Sequence, residues 1–318
     1  ELAADEAYYR ARSTQLSWGY LDHPPMIAWL IAGSCALLGR SEFAVRLPAI
    51  LLAGGTMQLA ARAGGLIGIS RQGQFRLQLV LFCFPILHVL GTIATPDTPA
   101  MFFVMLAMVA ALQCLNSPAR WRHWLLLGAA AGCAMHSKYT ALLPLVAIFF
   151  YLLLHDPRRW YRSAVAGIVA GLLIAPLLYW NHQRDWLSFV FQFRHGTSAD
   201  GRGWLINLAD YIGAQLLVAT PILAVLCVWL MIRLLRSSAS PGQRMVSIAS
   251  LGTLAFFALI SLRYKVEGNW PVLAWIKVCV VCSNALPALA TCAAVACCWA
   301  WKSCRTARPR PRPMAWVP

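Results

Sequence analysis

Charge is what this chain has least of. Only 12% of its 318 residues are Asp, Glu, Lys or Arg, while 60% are hydrophobic and the mean hydropathy is +0.62. A soluble domain averages about 25% charged and about 45–50% apolar. That excludes a disordered chain and fits a soluble enzyme poorly; a polytopic membrane protein is the natural class. Acids are scarcer still, 11 against 27 Lys and Arg, and none follows Glu267. In a soluble protein the resulting +16 charge would suggest nucleic acid. Here the arginines fall between apolar runs, as in loops that face anionic lipid, so no nucleic-acid partner is expected. No cleavable signal peptide, internal repeat, P-loop, GxGxxG or HExxH is visible. Eleven cysteines give no disulfide framework. Cys35, Cys83, Cys114, Cys133 and Cys227 stand singly in apolar runs, where Cys packs as a small hydrophobe.

What the chain has instead is long uncharged runs. A bilayer core of about 30 Å needs about 20 apolar residues as helix. Leu77 to Thr95, Thr98 to Asn116, Ser163 to Asn181, Tyr211 to Ile232 and Met245 to Leu262 meet that need without a charge. Leu47 to Ser70 is a further span, with Arg62 near one end, where it can snorkel. His123 to Leu154 is too long for one crossing and is interrupted by Lys138, so two short helices are expected to meet there at one membrane face. Met26 to Gly39 is too short to cross and reads as an interfacial helix. Pro271 to Trp301 has room for a last span. The fold class that follows is an all-α transmembrane helix bundle.

Alternating these spans sorts the charges. Arg71, Arg76, Arg120, Arg122, Arg158, Arg159, Arg162, Arg233, Arg236 and Arg244 fall on one side, with Asp156 as its acid. Asp5, Glu6, Asp22, Glu42, Asp97, Asp185, Asp200, Asp210 and Glu267 fall on the other. The positive-inside rule makes the arginine side cytoplasmic. Acids do not set orientation, so their clustering is separate information and points to a site on the outer face. GxxxG spacings at Gly64/Gly68, Gly128/Gly132 and Gly167/Gly171 fit plain helix packing.

Both ends look unusual. The chain opens at Glu1 without Met, and a preceding span is expected. Six of the eleven cysteines lie after residue 277, at 279, 282, 292, 297, 298 and 304, and the end reads Arg308-Pro-Arg-Pro-Arg-Pro313. Residues 1–276 are therefore read as one transmembrane domain. Residues 277–318 are read as a frame-shifted segment or a basic, Pro-rich tail.

Four outer segments carry groups able to do chemistry. Asp5-Glu6-Ala-Tyr-Tyr9 is followed by Trp18-Gly-Tyr-Leu-Asp-His-Pro-Pro25, where Pro24 and Pro25 fix the backbone ahead of the short helix. A carboxylate at the membrane surface can act as general base on a hydroxyl or hold a hard cation. His23 can donate to a phosphate oxygen or bind metal. The same residues also fit a solvated acidic turn. Thr95-Pro-Asp-Thr-Pro99 pins Asp97 between two spans, where it also suits a helix cap. Lys138, in His136-Ser-Lys-Tyr139, is the first Lys of the chain; an ammonium there suits a lipid phosphate or a snorkelling anchor. The region Asn181 to Trp204 mixes aromatics with both signs of charge, fitting an amphiphilic headgroup, a sugar or an interface belt. Arg263, Lys265 and Glu267, before Asn269-Trp-Pro271, are open in the same way.

Asp5-Glu6-Ala-Tyr-Tyr, Gly19-Tyr-Leu-Asp-His-Pro-Pro-Met26, Pro96-Asp-Thr-Pro99, Ser137-Lys-Tyr139 and Asn269-Trp-Pro271 together resemble, in order, the GT-C fold membrane glycosyltransferases. The branch is the bacterial one related to protein O-mannosyltransferases and lipid A aminoarabinose transferases. The resemblance covers about residues 2 to 276. It implies transfer of a sugar from a polyprenyl-phosphate carrier to an envelope lipid, glycan or protein hydroxyl, on the outer face of the inner (plasma) membrane. It makes Asp5 the key carboxylate and general base, with Glu6 and Asp97 orienting the acceptor or holding a cation. Asp22, His23, Lys138 and Tyr139 become substrate-binding residues, with Lys138 at the carrier phosphate. The donor is the polyprenyl-phospho-sugar. A divalent cation, with Asp5 and Asp97 as its ligands, is left open. Members of the family begin with a span before the Asp-Glu motif and continue with further helices; neither matches this chain. A polytopic transporter and an inactive fragment of the family are the alternatives. A transporter would place its charges near the bilayer midplane.

Overall fold

The computed structural model describes residues 2–82, 85–197, 201, 203–236 and 239–282. Among them there are helices and turns and no strand. Four helices are long and apolar enough to cross a membrane: α3 (Glu42–Leu66), α6 (Asp97–Asn116), α9 (Trp160–His182, with the turn before it) and α13 (Pro241–Ser261). The expected break at Lys138 is present. α7 (Trp121–Ser137) ends there, Lys138 itself is extended (φ −158°, ψ 136°), and a short turn leads into α8 (Leu142–His155). The short apolar run forms α2 (Met26–Leu38), whose 13 residues span only about 20 Å.

Two expected spans are bent. Leu77 to Thr95 is divided between α4 (Arg71–Phe82) and α5 (Pro85–Thr92), whose axes differ by 72°. Tyr211 to Ile232 is divided between α11 (Trp204–Ala219) and α12 (Pro221–Arg236), which meet at 100°. The second break has a plain cause. Pro221 has no N–H to continue the helix, and its ring drives the preceding residue out of the helical region. Thr220 sits at φ 61°, ψ 141°.

α6 is the axis of the bundle, packed between α3 and α7, with 72% of its central window buried. Its Ala, Met and Val side chains (Ala100, Met101, Val104, Met105, Ala107, Met108) fill the core. α9 is the periphery, with only 17% buried. It docks on α7 because α7 presents glycines: a Cβ at Gly128 would lie 2.4 Å from the Ala166 carbonyl oxygen, and one at Gly132 2.7 Å from Leu173 Cβ. Gly167 and Gly171 face open space. α14 (Val272–Cys282) enters the bundle beside α13 and buries Val272 through Lys277. The Lys277 ammonium has no hydrogen-bond partner among the described residues. The rest of the 277–318 segment, from 283 on, lies outside the described residues.

This connectivity gives the bundle two ends. α6, α8 and α14 begin, and α7 and α13 finish, at an end that also carries α1 (Ala4–Ser13) and α10 (Leu187–Gly196). The loop holding Arg120 and the turn holding Arg158 and Arg159 meet at the other, where Arg162 in the first turn of α9 donates to the Pro118 carbonyl.

Candidate active site

Asp5 and Glu6 are neighbours on α1, so they point about 100° apart. Asp5 lines a cavity of about 970 Å³ at the acidic end of the bundle. Glu6 turns away from that cavity and is fully buried. Its Oε1 accepts from Arg46 Nε at 2.9 Å and the Ala94 amide at 3.3 Å. Its Oε2 accepts from Arg46 Nη2 at 2.8 Å and the Ala3 amide at 2.9 Å. The Arg46 guanidinium holds the Glu6 carboxyl below its ordinary range. The sequence pairs the two acids for chemistry; the structure places only Asp5 at the cavity.

The same cavity is lined by an ion pair. Lys138 Nζ donates to Asp97 Oδ1 at 2.6 Å, with the two side chains 6% and 5% exposed. Asn269 Nδ2 donates to Asp97 Oδ2 at 3.0 Å. Asp97 opens α6, where the helix dipole favours a negative group. Three motifs far apart in the chain thus share one carboxylate. Both oxygens of Asp97 are engaged, and the cation beside it is the Lys138 ammonium. Among the described residues no group of three or more His, Cys, Asp or Glu is placed to hold a metal ion. Asp5 and Asp97, the possible cation ligands in the sequence, belong to no such group. Lys138 has three N–H donors, and it lines the cavity.

The loop before α2 closes the cavity from the side. Asp22 Oδ1 accepts from the Tyr8 hydroxyl at 2.7 Å, and Arg12 Nη2 donates to the same hydroxyl at 2.9 Å. Gln192 on α10 donates to the Asp22 carbonyl. The His23 ring faces the cavity with Nδ1 buried and unpartnered. Burial, then the Lys138 charge, push its pKa below the usual histidine value, against the opposing pull of Asp22 and Asp97. A neutral ring results, with one donor and one acceptor nitrogen. Burial also keeps the Tyr9 phenol protonated. Tyr139 lines the cavity, but its hydroxyl is paired with Ser188 Oγ at 2.8 Å and its ring packs on Phe189 at 4.9 Å, so it fastens α10 to the bundle.

Of the seven residues singled out from sequence, Asp5, Asp22, His23, Asp97, Lys138 and Tyr139 come together here, and Glu6 does not. The structure adds His195, whose ring stacks on Phe191 at 6.0 Å and meets Trp270 edge-on at 5.7 Å. It also gives Asn269 a definite task. Phe191, Phe193, Phe256, Phe257 and Ile260 make the other half of the lining apolar. A cavity with a carboxylate on one wall, a buried ammonium on another and a greasy flank is suited to an amphiphile bearing a phosphate.

Fold comparison defines the class first. The chain superposes on ArnT from Cupriavidus metallidurans bound to undecaprenyl phosphate with a TM-score of 0.73 at 16% identity, over 90% of this chain and 56% of that one. The apo form of the same protein gives 0.70 at 18% identity. The fold is thus that of the GT-C membrane proteins. Residues 22–180 match the dolichyl-phosphate-mannose-protein mannosyltransferase family, and the chain belongs to it. Similar proteins include the lipid A galacturonosyltransferase RgtD of Rhizobium johnstonii, 28% identical over 284 residues, covering 86% of this chain and 58% of that protein. Another is the undecaprenyl phosphate-alpha-4-amino-4-deoxy-L-arabinose arabinosyl transferase of Pseudomonas paraeruginosa, 26% identical over 264 residues, covering 76% and 46%. The chain spans about half the length of these relatives.

Proposed function

We propose that residues 1–276 form the membrane catalytic domain of a glycosyltransferase that moves a sugar from a polyprenyl-phosphate carrier to a hydroxyl of an envelope acceptor. The observation that carries this reading is a shared cavity: Asp5 and the Lys138–Asp97–Asn269 cluster line the same space. The acceptor oxygen attacks the anomeric carbon while Asp5 takes its proton. The bond from that carbon to the phosphate oxygen breaks, and its electron pair leaves with the polyprenyl phosphate. Lys138, held by Asp97, meets the charge that builds on the departing phosphate. Neutral His23 offers one further N–H, and the apolar flank accepts the first part of the polyprenyl chain. A single displacement inverts the anomeric centre.

The sugar is a hexose or pentose derivative. The name of the Rhizobium relative supports a lipid A-type acceptor, that of the Pseudomonas relative supports an undecaprenyl-phosphate-linked donor, and the arginine-rich loops support an inner-membrane protein with its cavity facing outward. The test uses the full-length protein in membranes, with labelled polyprenyl-phospho-sugars and envelope acceptors, and follows release of polyprenyl phosphate. Wild type should release it, and Asp5→Asn should be slower by about 10²–10⁴-fold. An Asp5→Asn protein with a near-normal rate overturns the assignment.

A further inference from the structure

Glu6 is an acid in the most prominent motif of the chain, yet it is absent from the cavity. A carboxylate offers about four lone-pair positions. All four are occupied here, by Nε and Nη2 of Arg46, the Ala3 amide and the Ala94 amide. These four donors belong to three separate pieces of chain: the start of α1, the first turns of α3, and the segment that runs from α5 into α6. Asp5 is the adjacent residue on the first piece. Asp97 lies three residues beyond Ala94 on the third. One buried side chain therefore ties the segment that carries Asp5 to the segment that leads into Asp97.

We propose that Glu6 is the positioning residue of the site, a buried clamp that fixes Asp5 relative to the Asp97–Lys138 wall without touching substrate. No other side chain satisfies the geometry. Gln would set an N–H₂ group against two of the four donors, since each oxygen accepts from two, and Asp would fall short by one methylene. Arg46 is the complementary half, and its planar fork is what lets one cation reach both oxygens. The inference rests on the transferase reading for its catalytic consequence, but its structural consequence stands alone.

The experiment compares wild type, Asp5→Asn, Glu6→Gln and Arg46→Lys in the full-length protein, by turnover, its pH profile and amide hydrogen exchange. Glu6→Gln should lower turnover by about 10²-fold, the penalty for a misplacement of about 1 Å. Its acid limb should stay where the wild-type limb is, because Asp5 is still the base. Exchange should accelerate in the peptide holding Ala3 or Ala94, whichever amide faces the new N–H₂ group and loses its acceptor. Asp5→Asn should lose turnover with exchange unchanged. Arg46→Lys keeps the charge and the two backbone amide donors to Glu6 but not the fork; it should lose about tenfold, and it decides the matter if Glu6→Gln does not fold. Loss of turnover in Glu6→Gln with wild-type exchange would make Glu6 a chemical participant and overturn the clamp, as would full turnover in either clamp variant. Should Asp5→Asn stay active, the transferase mechanism falls while the exchange result still judges the clamp.

Discussion

The two ends of the bundle use charge in opposite ways. At the cavity end Glu6, Asp97 and Lys138 are buried to within 5% exposure, and each is met by named donors or acceptors. At the other end the charges are many and loosely held. Arg159 pairs with Asp156 at 3.2 Å with both side chains about 40% exposed. Arg162 lies 5.1 Å over the Trp121 ring, and Arg233 lies 5.4 Å over Trp229. Burying a charge is costly unless it is paired and hydrogen-bonded. An end that carries such pairs is built around them, whereas exposed arginines act through their summed field and are individually replaceable. Function therefore belongs where charge is enclosed.

The sharpest break of this contrast is a double-mutant cycle at Lys138 and Asp97. Lys138→Met strands a buried carboxylate and Asp97→Leu a buried ammonium, so each should cost about 3–5 kcal/mol of stability. The double variant should cost much less than the sum, because no unpaired charge remains. Activity should not follow stability. Each single variant should lose about 10²–10³-fold in transfer, and the double variant should stay as inactive as Lys138→Met. Thermal unfolding in detergent and polyprenyl phosphate release are the two readouts. Recovery of activity in the double variant would mean that the pair is only structural.

Much of the contrast was legible in the sequence. The spans, the break at Lys138 and the sorting of charge follow from hydropathy and from the cost of a charge in lipid. Six of the residues that line the cavity stand out in the sequence, Tyr139 through its neighbour Lys138 and the others because a titratable group between apolar helices is conspicuous. Three features were not. Phe189, Phe191 and Phe193 alternate along the chain, which hides the fact that 187–196 is the helix α10. Nothing local bends α11 against α12 except Pro221, which a straight uncharged run outweighs in a hydropathy reading. The different fates of Asp5 and Glu6 depend on Arg46 and Ala94, which lie 40 and 88 residues away from Glu6.

Midway between the two ends, along the α7–α9 seam, packing should matter more than charge. Gly128→Ala brings a methyl within 2.4 Å of a backbone oxygen that cannot move aside cheaply, and should destabilise by about 1–3 kcal/mol. Gly167→Ala, on the open face of the facing helix, meets nothing within 4 Å and should be neutral or slightly stabilising through helix propensity. Equal destabilisation by the two would mean that α7 and α9 are not held by this seam.

Acid should separate the ends again. The Glu6 carboxyl is lowered from 4.5, so its ion pair adds stability above that unfolded-state value and loses it as pH falls through the folded one. Melting followed by exchange at the Ala94 peptide should show this acid limb in wild type and lack it in Glu6→Gln. Arginines carry their charge throughout that range, so the seam around Gly128 should show no counterpart.

The smallest effect is expected at Arg159. Its partner Asp156 is three residues before it, both side chains reach solvent, and the exposed pair is worth about 0–1 kcal/mol at low salt. Salt screens such a pair within about 10 Å at 0.1 M. Arg159→Gln should therefore shift stability by no more than about 0.5 kcal/mol and leave transfer unchanged. Removing one of ten arginines at this end should also leave the summed field, and with it the orientation of the bundle, intact. A shift of the size expected for Lys138→Met would mean that an exposed charge at this end is as structurally committed as a buried one at the other, and the distinction between the ends would fail at its weakest point.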